Sequence, residues 1–159
     1  MRPALLGVTA LLALACAGSR SSTSAVASAD ASVKGLIGAS VQVTFGAALA
    51  TLTEIPLEPR VVREATGQIE TEYFDLTPHQ WQAERYPPVE RVIRLVIDVA
   101  PDTLGRGSRV TIKALYQPSL GPYVRGRATE RLVPLDHPGV TFAQEVLDRM
   151  ERRATGRRS

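Results

Sequence analysis

Two histidines and their neighbouring carboxylates are the side chains best placed for acid–base chemistry. Asp75 precedes His79 by four residues, and Asp136 is adjacent to His137. A histidine-based triad also needs a nucleophile within hydrogen-bond reach, and no Ser or Cys stands in a strained nucleophile turn near either pair. We therefore interpret His79 as a loop residue and His137 as a residue at the start of a helix.

Other catalytic patterns are equally weak. Glu70 and Glu72 lie two apart in a strand-like run and would share one strand face, as paired carboxylates do in glycosidases, although a solvated face explains them better. Ligands at metal-binding offsets are missing from the sequence. The Gly105-Arg106-Gly107 run falls between two strands, so it lacks the context of a phosphate loop. We expect no enzyme, no metal and no cofactor.

Aromatic residues give a better candidate for a binding site. Such side chains bring large contact area and a polar handle to sugar and peptide sites. Trp81 stands among glutamines and an arginine in the loop or helical turn from His79 to Pro88. A rim of Tyr73, Trp81 and Tyr123 would suit a glycan or a small apolar ligand. The alternative is that Trp81 plugs the open end of a sheet.

The single cysteine, Cys16, follows a leader of the secretory type. Arg2 supplies a positive start, and Pro3 to Ala15 is an uncharged, mostly apolar run of 13 residues. A permanent membrane span needs about 18 to 20 residues. We predict a signal peptide over residues 1–15, cleaved between Ala15 and Cys16.

The run Ala13-Leu14-Ala15-Cys16 resembles the lipobox of bacterial lipoproteins, with the order of its leucine and small residue exchanged. The resemblance implies that Cys16 carries a diacylglycerol on its thioether and becomes the acylated N-terminus, so that a membrane is a partner. Ala17, not Asp, follows, which resembles lipoproteins of the outer membrane, on its periplasmic face if the source has two membranes. The alternative is plain secretion with cleavage near Ala15 or Ala17.

Composition limits the remaining partners. The formal net charge is +3, too small an excess to indicate a nucleic-acid partner. Residues 154–159 are predicted to be a disordered basic tail. The arginines near the C-terminus suit the negative end of a helix dipole, and contact with anionic headgroups or an acidic polymer is the alternative. They are Arg149, Arg152, Arg153, Arg157 and Arg158.

Residues 16–39 are predicted to be the lipidated N-terminus and a flexible tether, because Ala17 to Ala31 is small, polar and without apolar periodicity. Such a linker spans about 20 Å. Ser32 to Ala39, with two glycines, fits either the tether or a first turn. One folded domain is expected over residues 40–153.

Two helices are expected. Ser40 is a suitable N-cap for the first, which must stop before Pro56, and β-branched residues near its start make a strand the competing interpretation. Asp136 or His137 caps the second, with Pro138 in its first turn. The apolar stripes comprise Val41, Phe45, Ala48, Leu49 and Leu52 in the first helix, and Val140, Phe142, Val146, Leu147 and Met150 in the second.

Four main strands are expected between the helices. Gly67 suits the turn of a hairpin, and alternating apolar residues mark two longer antiparallel strands. The strands are Arg60–Glu64, Gln68–Leu76, Glu90–Val99 and Arg109–Tyr116, with 127–133 as a further edge candidate. We predict an α+β fold: a small antiparallel sheet of about four strands with two helices packed on one face.

The run from Ala47 to Leu76 resembles the repeated domain of BamC-type envelope lipoproteins, in which an amphipathic helix leads into a hairpin. The carriers are Ala48, Leu49, Leu52 and the segment Gly67-Gln68-Ile69-Glu70-Thr71-Glu72-Tyr73. This chain has one such domain and no stretch matching the region of partner contact, so membership in the barrel-assembly machinery is not implied. We expect a non-catalytic interaction or assembly module with an envelope protein partner. A domain for cell-wall glycan or a small apolar ligand is the alternative.

Overall fold

The computed structural model describes residues 31–118 and 130–156. They form an α+β fold of seven strands and three α-helices. The strands are β1 (Ser32–Ile37), β2 (Pro59–Arg63), β3 (Gln68–Thr71), β4 (Phe74–Asp75), β5 (Val92–Pro101), β6 (Ser108–Tyr116) and β7 (Arg131–Leu132). The helices are α1 (Val41–Glu54), α2 (Pro88–Arg91) and α3 (Pro138–Thr155).

The strands form one sheet in the order β1-β6-β5-β3-β2, with β4 beside β5 and β7 beside β6. Every strand pair within the described ranges is antiparallel. The hairpin of β5 and β6 forms the centre, pairing continuously from Ile93 opposite Tyr116 to Pro101 opposite Ser108. The predicted antiparallel neighbours are therefore confirmed.

The two long helices, α1 and α3, pack on each other and on one face of this sheet. Alternate residues of β5 and β6 point into the resulting core, as the period of two predicts. Ile93, Leu95, Ile97, Val110, Ile112 and Ala114 are fully buried. The predicted fold class is confirmed, but about four strands is too low a count.

Strand β1 was not predicted from the sequence; it lies inside the segment predicted to be tether. Val33 and Ile37 are buried, and the whole strand pairs with β6. Gly35 obscured the alternation. Gly35 has a packing reason, because a Cβ there would lie 2.7 Å from Leu147 Cδ2 of α3. The tether prediction is thus wrong from Ser32 onward.

Helix α1 follows the expectation. Ser40 Oγ accepts the Val43 backbone N–H at 3.3 Å, which satisfies one of the free donors of the first turn. The helix ends at Glu54, before Pro56. The competing strand interpretation of this segment is therefore wrong.

The predicted hairpin is present but its second strand is shorter. Gly67 has φ of +66° and ends the turn between β2 and β3. The run predicted as one strand to Leu76 divides at Glu72 and Tyr73 into β3 and β4. The candidate edge strand at 127–133 is reduced to β7, and residues 127–129 lie outside the described ranges.

Helix α3 begins at the predicted cap. His137 Nδ1 accepts the Gly139 N–H at 3.0 Å, and Pro138 occupies the first turn. The helix continues to Thr155, two residues beyond the predicted end of the domain at 153. Arg149 and Arg153 approach Glu54 of α1 at 3.9 and 2.5 Å. No helix of the described ranges has the length and apolar character to cross a bilayer.

Candidate functional site

The sheet face turned away from α1 and α3 carries a continuous polar network. Strand alternation places polar side chains of β2, β3, β5 and β6 on this face, opposite the apolar residues of the core. We call it the polar ladder. Its members are Lys113, Asp98, Gln68, Arg63, Glu70, Arg94, Glu130 and Tyr73.

One end of the polar ladder is a buried ionic cluster, the Arg94 clamp, formed by Arg94, Glu70 and Glu130. Their side chains are 6%, 5% and 8% exposed. Arg94 Nη1 donates to Glu70 Oε2 at 2.9 Å, and its Nε and Nη2 donate to the two oxygens of Glu130 at 2.9 and 2.5 Å. Such bidentate, charge-assisted bonds are strong, and the pairing compensates for loss of water around the charges. The clamp joins β3, β5 and the residue preceding β7.

Tyr73 extends the clamp by donating its hydroxyl to Glu130 Oε1 at 2.6 Å. Burial, together with the hydrogen bond to Glu130 and the charge of Glu130, raises the pKa of Tyr73 to about 12. Burial alone would lower the pKa of Arg94, but Glu130 and Glu70 outweigh it and raise that pKa. Neither group can exchange a proton near neutral pH. This geometry suits a structural clamp better than an acid–base centre.

The other end of the polar ladder is partly exposed to solvent. Gln68 Nε2 donates to Asp98 at 3.1 Å, and Lys113 Nζ donates to the other oxygen of Asp98 at 3.4 Å. Arg63 donates to Gln68 and, at 3.1 Å, to Glu70. Exposed pairs of this kind contribute little to stability. Their donors and acceptors remain accessible to a polar partner.

Tyr73 also lines a cavity of about 180 Å³ beside the clamp, together with Val89, Val92 and Gln117. Of the predicted rim, only Tyr73 is placed at this cavity: Trp81 is not among its lining residues, and Tyr123 lies outside the described residues. The alternation of β5 could have indicated Val92. No sequence signal pointed to Val89 or Gln117.

Trp81 does not plug the sheet end, since its side chain is 67% exposed. It lies on a single turn of 3-10 helix, Trp81–Arg85. Arg85 Cζ lies 5.1 Å from the centre of its ring, within the range of a cation–π contact. The plug interpretation is therefore wrong.

Both histidines serve the fold. The His79 ring packs 5.7 Å from the Phe74 ring and 5.2 Å from the Phe142 ring. Because His137 Nδ1 accepts from Gly139, its Nε2 carries the proton and donates to Glu90 O at 3.0 Å. Burial lowers the pKa of His137. Their interpretation as a loop residue and a helix-start residue is confirmed.

The carboxylates singled out from the sequence separate in the structure. Glu70 is buried in the Arg94 clamp, whereas Glu72 is exposed, 3.8 Å from Arg60. The solvated-face interpretation is wrong for Glu70. Asp75 accepts the Thr77 N–H at 2.8 Å, and the hydrogen bonds from Thr77 lower its pKa. Within residues 31–118 and 130–156, no three His, Cys, Asp or Glu side chains could hold a metal ion.

Strand β2 presents a bare sheet edge. Of the strands in the described ranges it pairs with β3 alone, and all its residues except the half-buried Val61 are exposed. Val62 is 48% exposed. Pro59, a register irregularity after it and two arginines moderate self-association at this edge. An edge of this kind can accept an added strand from another protein.

Comparison with known protein families gives no match, and comparison with curated proteins gives none either.

Proposed function

We propose that this chain is a membrane-anchored envelope lipoprotein whose folded domain is a non-catalytic interaction module. The leader and Cys16 support the anchor. The edge of β2 is the observation that carries the interaction role, because β2 pairs with β3 alone in the described ranges and an edge strand can accept an added strand beside the polar ladder. Histidines committed to packing and capping give no support to catalysis.

Within that class, the protein is a lipoprotein of the periplasmic face of the outer membrane if the source has two membranes. Its partner is an envelope protein that contributes an extended segment to β2. The order of α1, β2 and β3 is the order that the resemblance to BamC-type domains implies. That likeness supports an envelope role without implying a place in the barrel-assembly machinery.

Site-specific photo-crosslinking in native envelopes tests the interaction role. A photo-reactive residue at Val62 should crosslink one discrete envelope protein, whereas the same group at exposed Leu104 should not. A second substitution of Arg63 to Glu should weaken the crosslink by altering the polar ladder beside the edge. Equal crosslinking from Val62 and Leu104 would contradict a partner at β2.

The cavity beside Tyr73 favours a second candidate, a binding domain for cell-wall glycan or a small apolar ligand. Its volume of about 180 Å³ is similar to that of an engineered cavity of roughly 150 Å³ that accepts benzene. A thermal shift with small aromatic ligands tests this role. Val89→Phe should fill the space and abolish the shift, and Val43→Phe on the exposed first turn of α1 is the control.

A further inference from the structure

Two loops are fastened together at one end of the sheet. The first contains the turn Trp81–Arg85 and leads into α2; the second, 133–137, precedes α3. Tyr86 Oη donates to Asp136 O at 3.3 Å, and the rings of Tyr86 and His137 are 4.7 Å apart. His137 also donates to Glu90 O of α2, into which the first loop leads. These contacts hold the two loops as one surface.

Several apolar side chains of these two loops are exposed among polar ones. Trp81 is 67% exposed and Leu135 is 59% exposed, and three exposed prolines accompany them. We call this group the tryptophan platform. Its members are Trp81, Pro87, Pro88, Pro134 and Leu135. A group of exposed aromatic and large apolar side chains on two joined loops is a candidate contact surface.

The chemistry of the tryptophan platform suits the headgroup region of a bilayer. Tryptophan is enriched at the membrane–water interface, where an apolar body and a polar N–H are both satisfied. Arg85, stacked on Trp81, presents a guanidinium suited to lipid phosphate. Exposed Glu84 and Asp136 offset its charge, so attraction to anionic lipid is not the main driving force.

The platform lies at the end of the sheet where the chain arrives from Cys16. Ser32 pairs with Lys113 near the end of β6, and Tyr116 at that end pairs with Ile93 at the start of β5. The platform loops flank the start of β5 and of α3 at this end. The 14 residues from 17 to 30 separate Cys16 from the described domain. The tether predicted from the sequence would span about 20 Å at that length, which would bring the platform within reach of the anchoring bilayer.

We propose that the tryptophan platform docks onto the bilayer that holds the Cys16 anchor, with Trp81 in the headgroup region. This inference rests on the proposed membrane-anchored function. Docking orients the domain with the β5–β6 loop and its exposed Leu104 pointing away from the membrane.

Trp81 is the sole tryptophan of the chain, so tryptophan emission reports on this residue alone. Cys16 is the sole cysteine, so a thiol-reactive lipid couples only there. The full chain is coupled through Cys16 to a maleimide-bearing phospholipid in vesicles of phosphatidylethanolamine and phosphatidylglycerol. Some vesicles also contain phospholipid with brominated acyl chains, which quenches nearby tryptophan. We expect brominated lipid to lower Trp81 emission by about twofold or more, because an interfacial indole lies within its reach.

The matched control moves the tryptophan to the opposite end of the sheet through Trp81→Phe with Leu104→Trp. Its emission should be unaffected by brominated lipid. Leu135→Gln should reduce the quenching of Trp81, and Val43→Gln, remote from the platform, should leave it unchanged. Added salt should not restore the emission, since Glu84 and Asp136 offset the charge of Arg85.

Unquenched Trp81, or equal quenching of Trp81 and the Leu104→Trp control, would overturn the proposal. Unquenched Trp81 that is shielded from acrylamide in native envelopes would overturn it in favour of a protein contact. Coupling supplies the anchor chemically, so these results do not depend on natural acylation. The mass of the natural N-terminal peptide tests the anchor separately. A failure of platform docking can therefore be distinguished from a failure of the proposed lipid anchor.

Discussion

Arg94 lies between two buried carboxylates, whose negative charges would be uncompensated without it. Its guanidinium bonds Glu70 and Glu130, all three side chains being less than a tenth exposed. Breaking a buried ion pair by removing one partner leaves an uncompensated charge, which costs far more than losing an exposed pair. The clamp therefore makes the polar ladder a fixed surface, with Glu70 held in place beside Arg63 near the β2 edge.

Arg94→Met should lower the free energy of unfolding by about 3 to 5 kcal/mol, because two buried carboxylates lose their cation. Urea unfolding measures the change. Lys113→Met, which breaks the partly exposed pair with Asp98, should cost at most about 1 kcal/mol. Adding Glu70→Gln and Glu130→Gln to Arg94→Met should recover part of the loss. Equal costs for Arg94→Met and Lys113→Met would refute the buried clamp.

His137 makes stability depend on pH. Burial lowers its pKa in the folded protein, so below the unfolded value of about 6.5 the unfolded chain binds a proton that the native chain resists. The associated stability is present above pH 6.5 and is lost as pH falls toward the folded pKa. In the His137→Asn variant, Asn can cap the helix but does not titrate. We expect the unfolding midpoint of this variant to change less between pH 7 and pH 5 than that of the unmodified protein. An unchanged pH profile would show that His137 is not the titrating group.

Sequence periodicity placed Arg94 on the face opposite Ile93 and Leu95, but it did not predict its burial. Alternation tells which side a residue takes, whereas burial depends on what later segments cover that side. Here Glu130, which follows Arg94 by 36 residues, packs over the Arg94 side chain and provides the opposite charge. Glu70 was assigned to solvent for the same reason.

At the scale of elements, a local sequence signal predicted the structure correctly where it had a specific stereochemical cause. Ser40, His137 and Pro138 fixed helix starts, and Gly67 fixed the hairpin turn. Strand β1 was missed because Gly35, required by its contact with Leu147, looks like a linker residue in sequence. The division of β3 from β4 likewise has no sequence marker.

Gly67 and Gly105 form a matched pair for testing the hairpin. Both have positive φ, +66° and +65°, but only at Gly67 would a Cβ collide with Val99 O of the neighbouring strand. Gly105→Ala should cost about 1 to 2 kcal/mol from backbone strain alone. Gly67→Ala should cost clearly more in thermal or urea unfolding. Equal losses would show that the close approach to Val99 contributes nothing.

At the scale of the whole molecule, the two faces of the sheet differ in chemistry and in what they contact. One is sealed by α1 and α3 over a continuous apolar core, so stability does not depend on a disulfide. The other carries the polar ladder, next to the bare edge of β2. The apolar pattern predicted the first face closely. The second combines residues distant in sequence, and its partner cannot be deduced from periodicity.

The anchor is central to the account, because the proposed address, the tether and the docking of the tryptophan platform all depend on Cys16. Mass spectrometry of the N-terminal peptide from the natural protein tests it most directly. We predict a chain beginning at Cys16 with diacylglycerol on the thioether, and release of the Cys16→Ser variant from the membrane fraction. An unmodified N-terminus on a membrane-free protein would contradict the account.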